Sequence, residues 1–117
     1  MMLTIYHNPR CSKSRQTLAL IEGAGISPEI VRYLDEPFSK PQLQDILNKL
    51  GFESPRELMR KGEAIYKELN LKNEMNTDEL LEAMMSHPKL IERPIVVSGQ
   101  TAILGRPPEN VNEFLPK

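Results

Sequence analysis

Apolar and polar positions alternate at the start of the chain, in Leu3-Thr4-Ile5-Tyr6, and that period of two predicts a short half-buried strand. His7-Asn8-Pro9 closes it with turn chemistry. From Ser12 the period becomes helical, with Leu18 and Ile21 on one face, and Gly23 and Gly25 supply the stop. Pro28 to Leu34 carries Ile30-Val31-Arg32-Tyr33-Leu34 and predicts a second strand. Strand, helix and strand in so short a span form a βαβ unit, with parallel strands joined by a right-handed crossover.

The middle of the chain is helical in pattern. Ser39-Lys40-Pro41-Gln42 reads as a capping box, followed by Leu43, Ile46, Leu47 and Leu50 at one-face spacing and then Gly51. Ser54-Pro55-Arg56-Glu57 is a second capping box, with proline at the first helical position, and opens a short helix carrying Leu58 and Met59. Gly62 interrupts it, and Ile65, Tyr66 and Leu69 predict another short helix. Asn76 to Ser86 predicts one more, with Leu80, Leu81, Met84 and Met85 inward, ended by His87-Pro88.

Near the C-terminus, Ile95-Val96-Val97 and Ala102-Ile103-Leu104 flank Ser98-Gly99-Gln100, the pattern of a β-hairpin. Arg106-Pro107-Pro108 then opens a final helix with Val111, Phe114 and Leu115 on one face. The predicted order is β-α-β, a helical insertion over about 39–88, and β-β-α, in one domain spanning 1–117. That order fits an α/β fold of the thioredoxin-like kind, with a mixed four-stranded sheet and an all-helical insertion between its halves.

Composition narrows the class further. The charge is balanced, 15 Lys+Arg against 16 Asp+Glu, whereas a nucleic-acid binder is usually basic. No apolar run approaches the ~20 residues needed to span a bilayer, so no membrane partner is expected. The N-terminus lacks the pattern of a signal peptide. A single cysteine makes no internal disulfide, which points to a reducing, cytoplasmic setting.

That cysteine, Cys11, lies in His7-Asn8-Pro9-Arg10-Cys11-Ser12-Lys13-Ser14-Arg15. A lone cysteine is often just a small buried hydrophobe. Here Arg10, Lys13 and Arg15 stand close in sequence, no acid occurs before Glu22, and a helix is predicted to begin next to it. Cations and a helix start both stabilise a thiolate, so a nucleophile facing an anionic substrate is the leading reading. Cys11-Ser12-Lys13-Ser14 has serine where a resolving cysteine would stand, so any oxidation cycle needs an external thiol. Thr17 occupies the position of the arginine in a Cys-x5-Arg phosphatase loop, which excludes that loop.

His7 has two readings, as a thiolate partner by hydrogen bond or imidazolium charge, or as a structural residue at a strand end. Asn8 and Ser14 fit either a bond to the thiolate or a bond to the loop backbone. His87 reads as part of a helix C-terminal cap. Two histidines and one cysteine without ligand spacing make a metal site unexpected. Arg60, Arg93 and Arg106 each stand beside a glycine or proline signal, and Arg93 and Arg106 bracket the predicted hairpin. Guanidinium forks suit a tetrahedral oxyanion because they donate paired hydrogen bonds and stay charged. Arg93-Pro94 is the natural place for a cis peptide beside the thiol.

Taken together, His7-Asn8-Pro9-x-Cys11-x-x-Ser14-Arg15, Leu58-Met59-Arg60-Lys61, His87-Pro88-x-Leu90-Ile91-x-Arg93-Pro94-Ile95-Val96-Val97 and Leu104-x-Arg106-Pro107 resemble the glutaredoxin-dependent arsenate reductase family over nearly the whole chain. The resemblance implies a thioredoxin-like fold with a helical insertion, and reduction of arsenate to arsenite using glutathione and glutaredoxin as partners, with no bound cofactor. It implies Cys11 as the nucleophile and Arg60, Arg93 and Arg106 as the groups that bind the arsenic oxyanion. His7 matches the histidine that helps activate the thiol, and Ser14 its polar neighbour. Asn8 and Arg15 complete the set expected around substrate and thiolate. Two other classes draw on the same residues: a redox-responsive regulator of the Spx type, and a thiol-dependent reductase of another substrate. Regulators of that type commonly carry Cys-x-x-Cys, which Ser14 precludes here.

Overall fold

In the computed structural model, which describes residues 2–116, the Leu3-to-Tyr6 alternation becomes β1 (Thr4–Tyr6) at the centre of a four-stranded sheet. Ile5 is fully buried, while Thr4 and Tyr6 are partly exposed. β2 (Glu29–Val31) pairs parallel to β1, with Ile5 opposite Ile30. β3 (Ile95–Ser98) pairs antiparallel to the other side of β1, and β4 (Thr101–Leu104) antiparallel to β3, so the order is β2-β1-β3-β4. This is the mixed sheet of a thioredoxin-like fold.

β2 is shorter than the apolar run Pro28–Leu34 predicts. The carbonyl of Arg32 accepts the N–H groups of Asp35 and Glu36, so the backbone turns before Tyr33 and Leu34 can pair. Crossover helix α1 (Ser12–Gly23) presents Ser14, Thr17 and Ile21 to the interior. Two of these three buried residues are polar, and Leu18 is only partly covered.

The final segment, Pro108–Phe114, is a 3-10 helix where an α-helix is expected. Pro107 and Pro108 offer no N–H, and Asn110 Nδ2 donates to the carbonyls of Leu104 and Arg106, which pins the first turn in the tighter form. Val111 is fully buried and joins Leu3, Ile5, Ile21 and Val96 in one cluster, flanked by partly buried Phe114 and Leu115. Burying an aliphatic side chain of this size stabilises by roughly 1.5–3 kcal/mol, so this cluster holds helix to sheet.

The chain divides into two compact units, the first running to Glu36 and resuming at Arg93, the second spanning Pro37–Glu92. In the second, α2 (Lys40–Leu50) starts at the predicted capping box, with Ser39 Oγ accepting from Gln42 N–H and Gln42 Oε1 accepting from Ser39 N–H. Gly51 ends it at φ 76, a left-handed value that favours glycine. The second capping box opens a 3-10 turn, Pro55–Leu58.

The helix predicted around Ile65, Tyr66 and Leu69 is α3 (Ala64–Glu68), and of these three only Tyr66 is buried. Asn70 at φ 54 stops the helix, leaving Leu69 44% exposed, and Leu71 in the next 3-10 turn (Leu71–Asn73) goes inward instead. α4 (Thr77–Ser86) is capped by Asn76 and ended by His87, as the pattern predicts. It buries Ala83 along with Leu80, Leu81 and Met84, while Met85 is only half-buried. Among the described residues no helix is long and apolar enough to cross a membrane.

Candidate active site

Cys11 occupies the N-cap position of α1, in the turn that follows β1. Asn8 builds that turn: its carbonyl accepts Cys11 N–H at 3.0 Å and its side-chain oxygen accepts Arg10 N–H at 3.0 Å. Arg15 Nη1 closes the loop from the helix side by donating to the Pro9 carbonyl at 2.9 Å. Cys11 is consequently buried, 7% exposed as a residue, at the positive end of a twelve-residue helix.

Burial pushes the Cys11 thiol up, yet the net effect is downward from the ordinary thiol value. The opposing causes are, in order, the backbone N–H of Ser14, the charge of Arg93, the backbone N–H of Lys13 and a hydrogen bond from the Arg93 side chain. The sequence expectation that Arg10, Lys13 and Arg15 supply the charge is thus corrected. Lys13 contributes through its backbone, Arg10 points into solvent, and Arg15 is spent on the Pro9 carbonyl. The effective cation comes from far along the chain.

Ser14 lies fully buried one turn into α1, 2.6 Å from His7 Nδ1 and 3.0 Å from the Asn8 N–H that it accepts. His7 is itself buried, and desolvation, then the charges of Arg32 and Arg15, lower its pKa despite Glu22. A neutral imidazole at neutral pH follows, which disfavours the imidazolium reading of His7, and the hydrogen bond its Nδ1 makes is to Ser14 Oγ. Replacing Ser14 with alanine strands His7 Nδ1 and the Asn8 N–H. We expect a loss of about 1–3 kcal/mol by chemical denaturation, and a raised Cys11 pKa as the loop loosens.

Arg93 and Arg106 stand at the same end of the sheet, as the hairpin geometry predicts: Ile95 opposes Leu104, and Arg106 Nη1 reaches the Arg93 carbonyl at 3.4 Å. Both Arg93-Pro94 and Arg106-Pro107 are cis, the second unforeseen. Arg93 Nε and Nη1 are buried with no hydrogen-bond partner. A guanidinium rarely leaves buried donors unused, so this one is fit to receive an oxyanion beside the sulfur. Arg60 belongs to the second unit, where it pairs with Glu63 at 3.0 Å and its N–H bonds the Leu90 carbonyl.

Two further positions went unrecognised in the sequence. A Cβ on Gly105 would overlap Thr17 Oγ1 and the Pro94 ring, so the chain can pass between α1 and the cis-proline only without a side chain. Thr17 meets it there, donating to Lys13 O at 2.8 Å and lying 3.4 Å from Gly105 O. A glycine at a strand end is the one available signal of such close approach. Gly105→Ala should destabilise by about 1–3 kcal/mol, read as a lowered denaturation midpoint with an unchanged m-value. A cavity of about 410 Å³ also opens beside the loop, where the chain leaves β1 and β2, lined by His7, Asn8, Arg10, Arg32 and Asp35 among others.

The site thus sets a thiol of lowered pKa at the N-cap position of α1, beside the arginine of the cis Arg93-Pro94 bond, on a thioredoxin-like sheet. The chain belongs to the ArsC family, whose profile matches residues 6–114. It is 54% identical to the uncharacterized protein YfgD of Escherichia coli K12, over 95% of this chain and 94% of that one. It is 51% identical to the arsenate reductase of Haemophilus influenzae, over 98% of this chain and all of the other. The solved arsenate reductase from Vibrio cholerae superposes with a TM-score of 0.94 at 51% identity, covering 98% of each chain.

Proposed function

We propose that the chain is an arsenate reductase that draws its electrons from glutathione and is restored by glutaredoxin. The observation that carries this reading is the Cys11 sulfur beside Arg93, whose Nε and Nη1 are buried and unpartnered. Membership of the ArsC family and the names of the similar proteins support arsenate as the oxyanion.

In the first step the Cys11 thiolate attacks arsenic(V), forming a sulfur–arsenic bond while one arsenate oxygen leaves, protonated, as water or hydroxide. Arg93 and Arg106, with Arg60 as the third candidate, hold the remaining oxygens as charge builds on them. A glutathione thiolate then bonds to the Cys11 sulfur, and the sulfur–arsenic pair passes to arsenic, which leaves as arsenite. Cys11 remains as a mixed disulfide with glutathione. A glutaredoxin thiolate takes the glutathione sulfur and frees Cys11. Ser14 cannot serve as an internal resolving group, so both external thiols are needed.

The test is arsenate reduction followed with glutathione and glutaredoxin together and with each left out. Turnover only in the complete mixture is the expected result; no turnover in it, or full turnover without glutathione, overturns the proposal.

A further inference from the structure

The second unit holds a cavity of about 550 Å³ lined by Arg56, Lys61, Tyr66, Lys67, Asn70 and Lys72, none of them a residue given a role in the proposed reduction. Four of these six side chains are cationic, and none is acidic. This is unusual for its surroundings, because lysines of the same unit with carboxylates in reach pair with them. Lys40 lies 3.8 Å from Asp78 and 3.3 Å from Glu82, and Lys49 lies 2.9 Å from Asp45. Lys61, Lys67 and Lys72 form no ion pair among the described residues.

Arg56 is the deepest of the four. One terminal nitrogen donates to the carbonyls of Leu71 and Glu74, which fixes the guanidinium against the 3-10 turn Leu71–Asn73. Its Nε is buried and has no hydrogen-bond partner. A held guanidinium and three lysines without ion-pair partners around one cavity make a site at which negative charge gains Coulomb energy and hydrogen bonds from the exposed lysine heads. Tyr66, 6% exposed, supplies an apolar wall. The volume suits a small organic molecule, and a bare inorganic ion would leave most of it to water.

We propose that this cavity binds a small organic anion bearing at least two phosphate or carboxylate groups on an apolar body. The negative groups sit on Arg56 and the lysines, and the body lies against Tyr66. Phosphate and carboxylate share this chemistry, and the probes separate them.

The test uses the full chain, labelled with nitrogen-15, titrated with ADP, citrate and inorganic phosphate at low ionic strength. The expected result is saturable shifts in the amides of Tyr66 to Lys72 with ADP or citrate, and binding at least tenfold weaker for inorganic phosphate. Saturation by ADP alone identifies a phosphate site, and by citrate alone a carboxylate site. Arg56→Gln should weaken the better ligand by tenfold or more. Because Arg56 also braces a turn, the double variant K67Q/K72Q, confined to exposed side chains, is the deciding one, with about a fivefold loss expected. No saturable shift in Tyr66 to Lys72 with any probe, or an affinity within twofold of wild type in the double variant, overturns the proposal. So does saturation confined to the Cys11 loop.

Discussion

Cys11→Ser should abolish arsenate reduction altogether, to the limit of detection, while leaving the denaturation midpoint close to wild type. A serine hydroxyl is far less acidic than a thiol, so the helix terminus and Arg93, which suffice to lower the Cys11 pKa, cannot make an alkoxide at neutral pH. Serine also cannot accept the electron pair exchange that turns a sulfur–arsenic adduct into a disulfide. The side chain is small and serine is a favoured N-cap, so the helix start tolerates the exchange. The measurement is turnover with glutathione and glutaredoxin present, beside an unfolding curve. Residual activity above a few per cent would mean that another group carries the chemistry.

Arg93→Gln should cost about 10²–10³-fold in kcat/KM, the range typical of losing a preorganised oxyanion donor. It should also shift the pH–rate profile. Turnover follows the thiolate fraction and therefore rises with pH through the Cys11 pKa. Arg93 lowers that pKa by charge and by hydrogen bond, so removing it moves the rising limb to higher pH. Arg93→Lys keeps the charge and loses the fork, so it should restore most of the pH shift and only a part of the rate. Equal profiles for all three proteins would separate Arg93 from the thiol. The buried, unpartnered Nε and Nη1 make glutamine tolerable for folding, since apart from the hydrogen bond to Cys11 the substitution removes donors that have no partner.

The sheet and the helix starts were legible because each rests on local chemistry. Alternation gave β1, two capping boxes gave the starts of α2 and the Pro55 turn, and Asn76 gave α4. The positions of Cys11 at a strand-to-helix change, and of Arg93 and Arg106 on either side of a hairpin, were legible in the same way. What was misread is what depends on distant partners. Sequence proximity pointed to Arg10, Lys13 and Arg15 as the cations of the thiol, whereas the charge that acts comes from Arg93. The polar interior of α1 was invisible because Ser14 and Thr17 are buried only by virtue of His7, Asn8 and Gly105. Gly105 itself matters for what passes beside it, and a single sequence carries no trace of that neighbour.

The setting of Cys11, a buried residue whose thiol is lowered in pKa, bears on how the protein ages. A thiol of lowered pKa that glutathione must reach in the proposed cycle is open to peroxide as well. Peroxide converts it to a sulfenic acid, and the usual rescue, condensation with a neighbouring thiol, has no partner within a chain that contains one cysteine. Further oxidation to the sulfinic acid is irreversible without dedicated repair. Glutathione, the proposed reductant, would then have a second use as a reversible cap, and a preparation stored without it would lose its thiol one molecule at a time with no change in fold.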